Sequence, residues 1–259
     1  MTSGIKCTLI VILLCAVAYV HSQEDEKCSK FQGRADRYFK KMLFVGREPK
    51  IPRNETAIIS YCKQVRKGYN MVKRYQTCLK PFPSQILGLV LRGAKESMKY
   101  VCDDKSHRKE VINYLGCLRS NNLGKAYTML ERALNVLDYI GYNVTDGHQL
   151  LPYICCSYHF ISDRVKRFME KECPAKSAGA EKFIHGVINL AAKDIIDLGC
   201  ARTPSLQNCE ERQSEIMQRI KEARFSSSTS LEERSFVKPV LAIADRLSPP
   251  EDISKRLRS

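Results

Sequence analysis

The side chains that could most readily take part in catalysis stand together in the run CCSYH, from Cys155 to His159. A histidine can take a proton from an attacking water as a general base, provided that a cation or another electrophile stabilises the charge that develops. The residue after His159 is Phe160 rather than a carboxylate that could hold a cation. The run therefore lacks an electrophile for this chemistry.

The order of residues in this run is similar to the C-C-x-x-H core of secreted phospholipase A2. In that family the histidine is the general base and the aspartate after it binds calcium. Phe160 stands where the calcium ligand would be. We therefore predict that His159 is an ordinary packed or surface histidine, and an unrecognised hydrolase remains the enzymatic alternative.

Other catalytic and metal-binding motifs are missing from the sequence. It contains no G-x-S-x-G, no H-E-x-x-H, no phosphate-binding G-x4-G-K-[ST] and no EF-hand loop. No C-x2-C pair occurs after residue 22, and His107, His148 and His185 have no partner at a diagnostic spacing. The sequence thus predicts no catalytic residues, no metal site and no cofactor.

The first residues have the layout of a secretory signal peptide. Lys6 precedes the apolar run from Cys7 to Val20, which is shorter than a membrane-spanning helix needs. We expect residues 1–22 to be removed and the remaining chain to be secreted and extracellular. Two sequons, at Asn54 and Asn143, predict a glycoprotein.

Ten of the twelve cysteines lie after residue 22, and an even number in an oxidising compartment indicates five disulfide bonds. These cysteines are Cys28, Cys62, Cys78, Cys102, Cys117, Cys155, Cys156, Cys173, Cys200 and Cys209. The cysteine positions leave the pairing open, but helix lengths favour Cys62 with Cys102 at the open end of an antiparallel hairpin. The accompanying hypothesis pairs Cys78 with Cys117, Cys156 with Cys200, Cys173 with Cys209, and Cys28 with Cys155.

Apolar residues recur at helical spacing, and no long alternating pattern indicates strands, so the predicted fold class is all-α. The stretches from Leu87 to Val101 and from Ile184 to Leu198 share the same apolar spacing 97 residues apart. This repeat predicts a disulfide-bonded helical bundle of two related helical-hairpin units. Their approximate bounds are residues 62–141 and 156–225, within a domain that covers residues 23–225.

The chain changes character after Arg224. A run of Ser and Thr is followed by three prolines and no further cysteine. This pattern predicts a flexible tail over residues 226–259. The alternative that stays open is a docked helix in the apolar stretch from Val237 to Leu247.

Positive charge is concentrated near the start of the chain. The 259 residues include 43 Lys and Arg against 28 Asp and Glu, a formal charge of +15, and 15 of the basic residues fall within residues 23–80. Such a patch attracts anionic glycans or membrane surfaces, unless it is simply a solvated face, while no nucleic-acid-reading motif is present. The candidate basic patch comprises Arg34, Arg37, Lys40, Lys41, Lys63, Arg66, Lys67, Lys73 and Arg74.

Three segments look like a family of uncharacterised secreted cysteine-rich proteins of arthropods, chiefly arachnids and crustaceans. The segments are Pro152 to His159, Asp197 to Cys200, and Cys78 to Phe82, and the likeness covers about residues 28 to 210. It implies a helical, disulfide-bonded extracellular protein with no assigned activity. Members often carry a further cysteine near Asn70, which this chain lacks. A looser similarity to insect haemolymph glycoproteins carries no residues over.

Two functions are consistent with these features. The first hypothesis is a non-enzymatic binding or carrier protein that encloses a small apolar ligand between helices. The second is an interaction or effector protein that engages anionic glycan or membrane through the basic N-terminal quarter. Salt separates the two, because rising ionic strength releases an electrostatic partner and leaves an apolar ligand bound.

Overall fold

The computed structural model describes residues 28–46, 50–118, 120–173, 200–223 and 230–248, together with scattered helical residues between 179 and 199. In this part of the chain the regular secondary structure is helical and no strand occurs, which confirms the all-α class. The predicted signal peptide and the apolar positions of the repeat between Ile184 and Leu198 lie outside the described residues.

Nine helices can be followed continuously within the described ranges. They span residues 28–42 (α1), Glu55–Gln76 (α2), Pro81–Cys102 (α3), Lys105–Leu115 (α4), Ser120–Tyr142 (α5), Gly147–Glu172 (α6), Leu206–Arg212 (α7), Ser214–Glu222 (α8) and Val237–Arg246 (α9).

Local side chains decide where several helices begin. The Oδ1 atom of Asn54 accepts the amide of Ala57 at 2.9 Å and caps α2, and Asp146 caps α6 in the same way. Pro81 opens α3, a position at which its missing amide proton costs nothing. The chain therefore breaks between α2 and α3 just after Cys78.

Five disulfide bonds connect the helices. They are Cys28–Cys78, Cys62–Cys102, Cys117–Cys173, Cys155–Cys200 and Cys156–Cys209. The predicted pair Cys62–Cys102 is confirmed, with its Cα atoms 5.7 Å apart at the open end of the α2–α3 hairpin. The other four predicted pairs, Cys78–Cys117, Cys156–Cys200, Cys173–Cys209 and Cys28–Cys155, are wrong.

The geometry of the helices explains why these predictions failed. Helix α1 lies antiparallel along α2, so Cys28 at its start reaches Cys78 just beyond the end of α2. Cys155 and Cys156 are separated by about 100° around the axis of α6 and therefore face different partners. Pairing by hairpin length alone could detect neither effect.

The disulfide order repeats along the chain. Cys28–Cys78 interlocks with Cys62–Cys102, and Cys117–Cys173 interlocks in the same order with Cys155–Cys200. The sequence separations are 50 and 40 in the first set and 56 and 45 in the second. This order agrees with a two-unit arrangement in which the bonded units start at Cys28 and Cys117.

Helices α1, α2 and α3 pack around an apolar cluster. Its buried members include Ala35 of α1, Val72 of α2 and Leu91 of α3. At the crossing of α1 and α2, a Cβ atom added to Gly68 would lie 2.9 Å from the Cβ of Tyr38. Glycine at this position is what lets the two helices approach so closely.

A second core joins α5, α6 and α8. Ile140, Leu150, Met217 and Ile220 are each no more than 2% exposed in this cluster. Cys209 of α7 is fully buried against it, through the bond that links α7 to α6. Helices α1 to α3 form an N-terminal layer and α5 to α8 a C-terminal bundle. Helix α9 joins them, because Val237 is buried in the first cluster and Ile243 in the second.

In the described part of the predicted tail, residues 230–248, the apolar stretch forms a helix that docks on the rest of the protein, as the alternative prediction had it. Asp36 of α1 accepts the amides of Phe236 and Val237 at 2.8 and 3.0 Å, so it caps the start of α9 from another helix. Ile243 of α9 is buried in the second core. Two hundred residues separate the cap from the amides it binds, so local sequence patterns could not show this contact. Residues 249–259 lie outside the described residues.

We expect Gly68→Ala to lower the free energy of unfolding by about 1–3 kcal/mol, because the added methyl group overpacks the α1–α2 crossing. Gly33 of α1 is the matched control, since no atom lies within 4 Å of its added Cβ. Gly33→Ala should stabilise the protein by up to about 1 kcal/mol through helix propensity. Urea unfolding measures both, and a Gly68→Ala protein as stable as the wild type would contradict the close crossing.

Candidate functional site

The basic side chains of the N-terminal segment lie on two antiparallel helices, α1 and α2. Residues 28–78 hold thirteen Lys and Arg against three Asp and Glu. Two contacts establish the antiparallel order. Cys28 at the start of α1 is bonded to Cys78, and Phe44, just after α1, stacks on Tyr61 near the start of α2 with ring centroids 5.3 Å apart.

The end of α1 is fixed by a left-handed residue. Phe44 has φ 56°, a conformation that costs a bulky side chain about 1–2 kcal/mol, and the amide of Val45 closes the turn on the carbonyl of Lys40 at 2.8 Å. The Tyr61 hydroxyl donates to the carbonyl of Met42 at 2.9 Å. Burial raises the pKa of Tyr61 to about 12, so this donor keeps its proton. The register of α1 on α2 is thereby set.

Helical geometry places the cations of both helices on one side of the α1–α2 layer. Each residue turns the helix by about 100°, and the Tyr38–Gly68 contact gives the direction in which the two helices face each other. On one side of the plane that contains the two helix axes, both helices turn their apolar residues toward α3. On the other side lie seven exposed cations, named here the cationic face: Lys30, Arg34, Arg37, Lys41, Lys63, Lys67 and Arg74.

The seven cations interleave along the layer. A helix advances about 1.5 Å per residue, and the Tyr38–Gly68 contact gives both helices a common origin. This geometry gives about one positive charge per 3 Å over a length of about 20 Å. From one end to the other the order is Lys30, Arg74, Arg34, Arg37, Lys67, Lys41 and Lys63.

No carboxylate of either helix neutralises the cationic face. The single acid of α1, Asp36, is buried on another side and accepts the amides of α9. The single acid of α2, Glu55, pairs with Arg108 of α4 at 3.0 Å. Within the described ranges no ion pair involves Arg34, Arg37, Lys63, Lys67 or Arg74.

The structure divides the predicted basic patch. Lys40 donates to the carbonyl of Glu232, and Arg66 pairs with Asp103, so both are engaged elsewhere. Lys73 is exposed on the side of α2 that faces away from α1. The remaining six predicted residues belong to the cationic face. Lys30 was missed, although its spacing of four residues from Arg34 is the signal that would have found it.

A small apolar cavity of about 60 Å³ lies between α1, α2 and α3. Its lining includes Phe39, Met42, Val65, Leu91 and Met98. A cavity that holds benzene measures about 150 Å³, so this one is too small for a carried ring in the present packing. The hypothesis of a carrier for a small apolar ligand stays a prediction that the size of this cavity does not favour.

The run that looks like a phospholipase core has structural roles on α6. Cys155 and Cys156 are both held in disulfides. The Nε2 atom of His159 lies 2.8 Å from the carbonyl oxygen of Thr203, which ties the segment before α7 to α6. Among the described residues no group of three or more His, Cys, Asp or Glu side chains could hold a metal ion.

Both predicted glycosylation sites are exposed beside helix ends. Asn54 is the cap residue of α2, and Asn143 directly follows α5. The cap uses the Oδ1 atom of Asn54 as the hydrogen-bond acceptor. The side-chain amide nitrogen, which is the atom that would carry a glycan, takes no part in this hydrogen bond. Glycosylation at both sites stays a prediction.

Comparison with known protein families, with curated proteins and with solved structures found no match. The resemblance to secreted cysteine-rich proteins of arthropods accordingly stays a prediction. Across the described ranges, no helix combines the length and the apolar character needed to cross a membrane.

Proposed function

We propose that the protein is an extracellular, non-enzymatic binding protein whose cationic face binds a polyanion. One observation carries this proposal: seven exposed cations share one side of two helices, and no carboxylate of either helix lies on that side. Like charges at this spacing repel one another, and a bound polyanion relieves the repulsion while releasing counterions. The five disulfides support an oxidising, extracellular location.

The cationic face is held in shape by the fold. Cys28–Cys78 ties α1 to α2, and Asp36 ties α1 to α9. The close approach of Tyr38 and Gly68 fixes the crossing between the rows of cations. Because the helices are already positioned, binding costs little ordering of the backbone.

We expect the association constant for a polyanion to fall about 10³-fold between 50 and 200 mM salt, because each ionic contact releases counterions. Fluorescence anisotropy with labelled heparin and with a labelled single-stranded oligonucleotide measures this fall. Sedimentation with phosphatidylserine vesicles supplies the third polyanion. Absence of salt-dependent binding to all three would contradict the proposed function.

Charge-reversal variants distinguish binding by the cationic face from attraction by the overall net charge of the protein. Arg34→Glu/Lys67→Glu changes the centre of the face, and Lys95→Glu/Lys109→Glu changes exposed cations of α3 and α4 by the same net charge. The first variant should lose binding at 100 mM salt, while the second should keep most of it. Equal losses in the two variants would show that net charge, rather than the face, attracts the polyanion.

A further inference from the structure

We propose that the polyanion is a linear sulfated glycan lying along the channel between α1 and α2, an assignment that rests on the proposed function. We call the channel the line along which α1 and α2 meet above the contact of Tyr38 with Gly68, with the α1 cations on one side of it and the α2 cations on the other. It runs parallel to the helix axes, so a chain polymer can follow it over its whole length.

The charge pattern suits a flexible chain with closely spaced anions. The cations are distributed over both borders of the channel, four on α1 and three on α2, with about one per 3 Å along its axis. A glycan with carboxylates alone carries its charges more sparsely than this, whereas sulfation adds further anions to each sugar pair. Arg34, Arg37 and Arg74 supply planar guanidinium groups, which bind two oxygens of one anion at once.

An uncharged polar side chain also borders the channel. Gln64 of α2 is exposed, and its position on the helix turns it toward α1, between Lys63 and Lys67. Its amide can donate to and accept from sugar hydroxyl groups. Asn70 is a second exposed amide of α2, but it is turned away from α1. Of these two amides of α2, Gln64 is therefore the one that reaches a glycan in the channel.

The observations favour a glycan over a membrane surface. A helix that binds at a bilayer surface inserts an apolar side into the lipid. The apolar sides of α1 and α2 are committed to the core, through residues such as Ala35 and Val72, which are no more than 6% exposed. The large apolar side chains exposed on this layer, Leu43 and Ile59, are each 40% exposed and lie near one end of the channel.

The observations also favour a glycan over a single-stranded nucleic acid. Proteins that bind single strands stack the bases on exposed aromatic rings. The ring of Tyr69 lines the apolar cavity, and Tyr75 is buried in the core. The half-buried ring of Tyr38 also lines the cavity, and the Nζ atom of Lys41 lies over it, 6.0 Å from the ring centroid. The channel therefore offers cations and an amide to a partner, which match sulfate and hydroxyl groups.

The first experiment compares polymers on the wild-type protein. Heparin oligosaccharides of increasing length should bind with rising affinity until they span the channel, about 20 Å, and with little further gain per added sugar. Desulfated chains of the same length should bind at least 100-fold more weakly. Phosphatidylserine vesicles and a single-stranded oligonucleotide, at equal concentration of negative charge, should bind at least tenfold more weakly than heparin.

The second experiment tests the channel with an uncharged residue. Gln64→Ala should weaken the binding of a heparin oligosaccharide three- to tenfold without changing the slope of its salt dependence. Asn70→Ala is the matched control on the same helix and should leave the affinity unchanged. Because neither variant alters the charge, a general electrostatic attraction would respond to neither.

The outcomes distinguish this assignment from the proposed function. Tighter binding of vesicles or of the oligonucleotide than of heparin would overturn the glycan while leaving a polyanion-binding face in place. An unchanged affinity of Gln64→Ala would overturn the position of the glycan in the channel. Failure of every polyanion to bind would overturn both proposals.

Discussion

Replacement of Asp138 by leucine is expected to lower the free energy of unfolding by about 3–5 kcal/mol. Asp138 of α5 and Arg234, in the segment before α9, form an ion pair whose side chains are 11% and 7% exposed. Asn135 also accepts a hydrogen bond from Arg234 at 2.7 Å. Without the carboxylate, the buried guanidinium loses the negative charge that Asp138 places beside it. Urea unfolding followed by circular dichroism, with the disulfides intact, measures the loss.

An exposed ion pair provides the control. Arg66 and Asp103 have side chains that are 45% and 56% exposed, so Asp103→Leu should cost less than about 1 kcal/mol. The double variant Asp138→Leu/Arg234→Met should regain most of the lost stability, because it removes both charges of the buried pair. Equal losses in Asp138→Leu and Asp103→Leu would mean that the pair does not hold the C-terminal segment on α5.

Removal of the Cys62–Cys102 bond is the second change with a large expected effect. Cys62→Ala/Cys102→Ala should lower the free energy of unfolding by about 4 kcal/mol, since the bond closes a loop of 40 residues. Both cysteines are buried, 2% and 6% exposed, so alanine also removes packed sulfur atoms. Urea unfolding of the variant, with the other four bonds checked by non-reducing peptide mapping, measures the change.

Single replacements test the pairing itself. Cys62→Ala should leave one free thiol, at Cys102, which alkylation under denaturing conditions and mass spectrometry can locate. The same measurement on Cys28→Ala should find the free thiol at Cys78. A label on any other cysteine, or a double variant as stable as the wild type, would contradict the bonds of the N-terminal layer.

These bonds matter for function because the cationic face depends on the alignment of two helices. Cys28–Cys78 and the contact of Tyr38 with Gly68 hold α1 and α2 in the register that interleaves their cations. A shift of α1 along α2 by one helical turn would move its cations by about 5 Å. The spacing of positive charge along the channel, and with it the match to a polyanion, would then change.

The local features of this protein can be derived from its sequence. The helices follow from apolar residues at helical spacing and from caps such as Asn54, because these signals act within one or two turns of the chain. The Cys62–Cys102 bond was also predictable, since two helices of similar length joined by a short link bring those residues together. The cations of α1 and α2 were visible as a concentration of charge.

Contacts between segments that are far apart in the chain are visible only in the folded protein. Nothing near Cys117 in the sequence indicates Cys173 as its partner, and nothing near Val237 indicates Asp36 as the cap of its helix. Burial of apolar surface brings such segments together, and it depends on the whole chain rather than on a local pattern. The sequence therefore determined which residues are positively charged, whereas the antiparallel packing of α1 on α2 turned seven of them into one face.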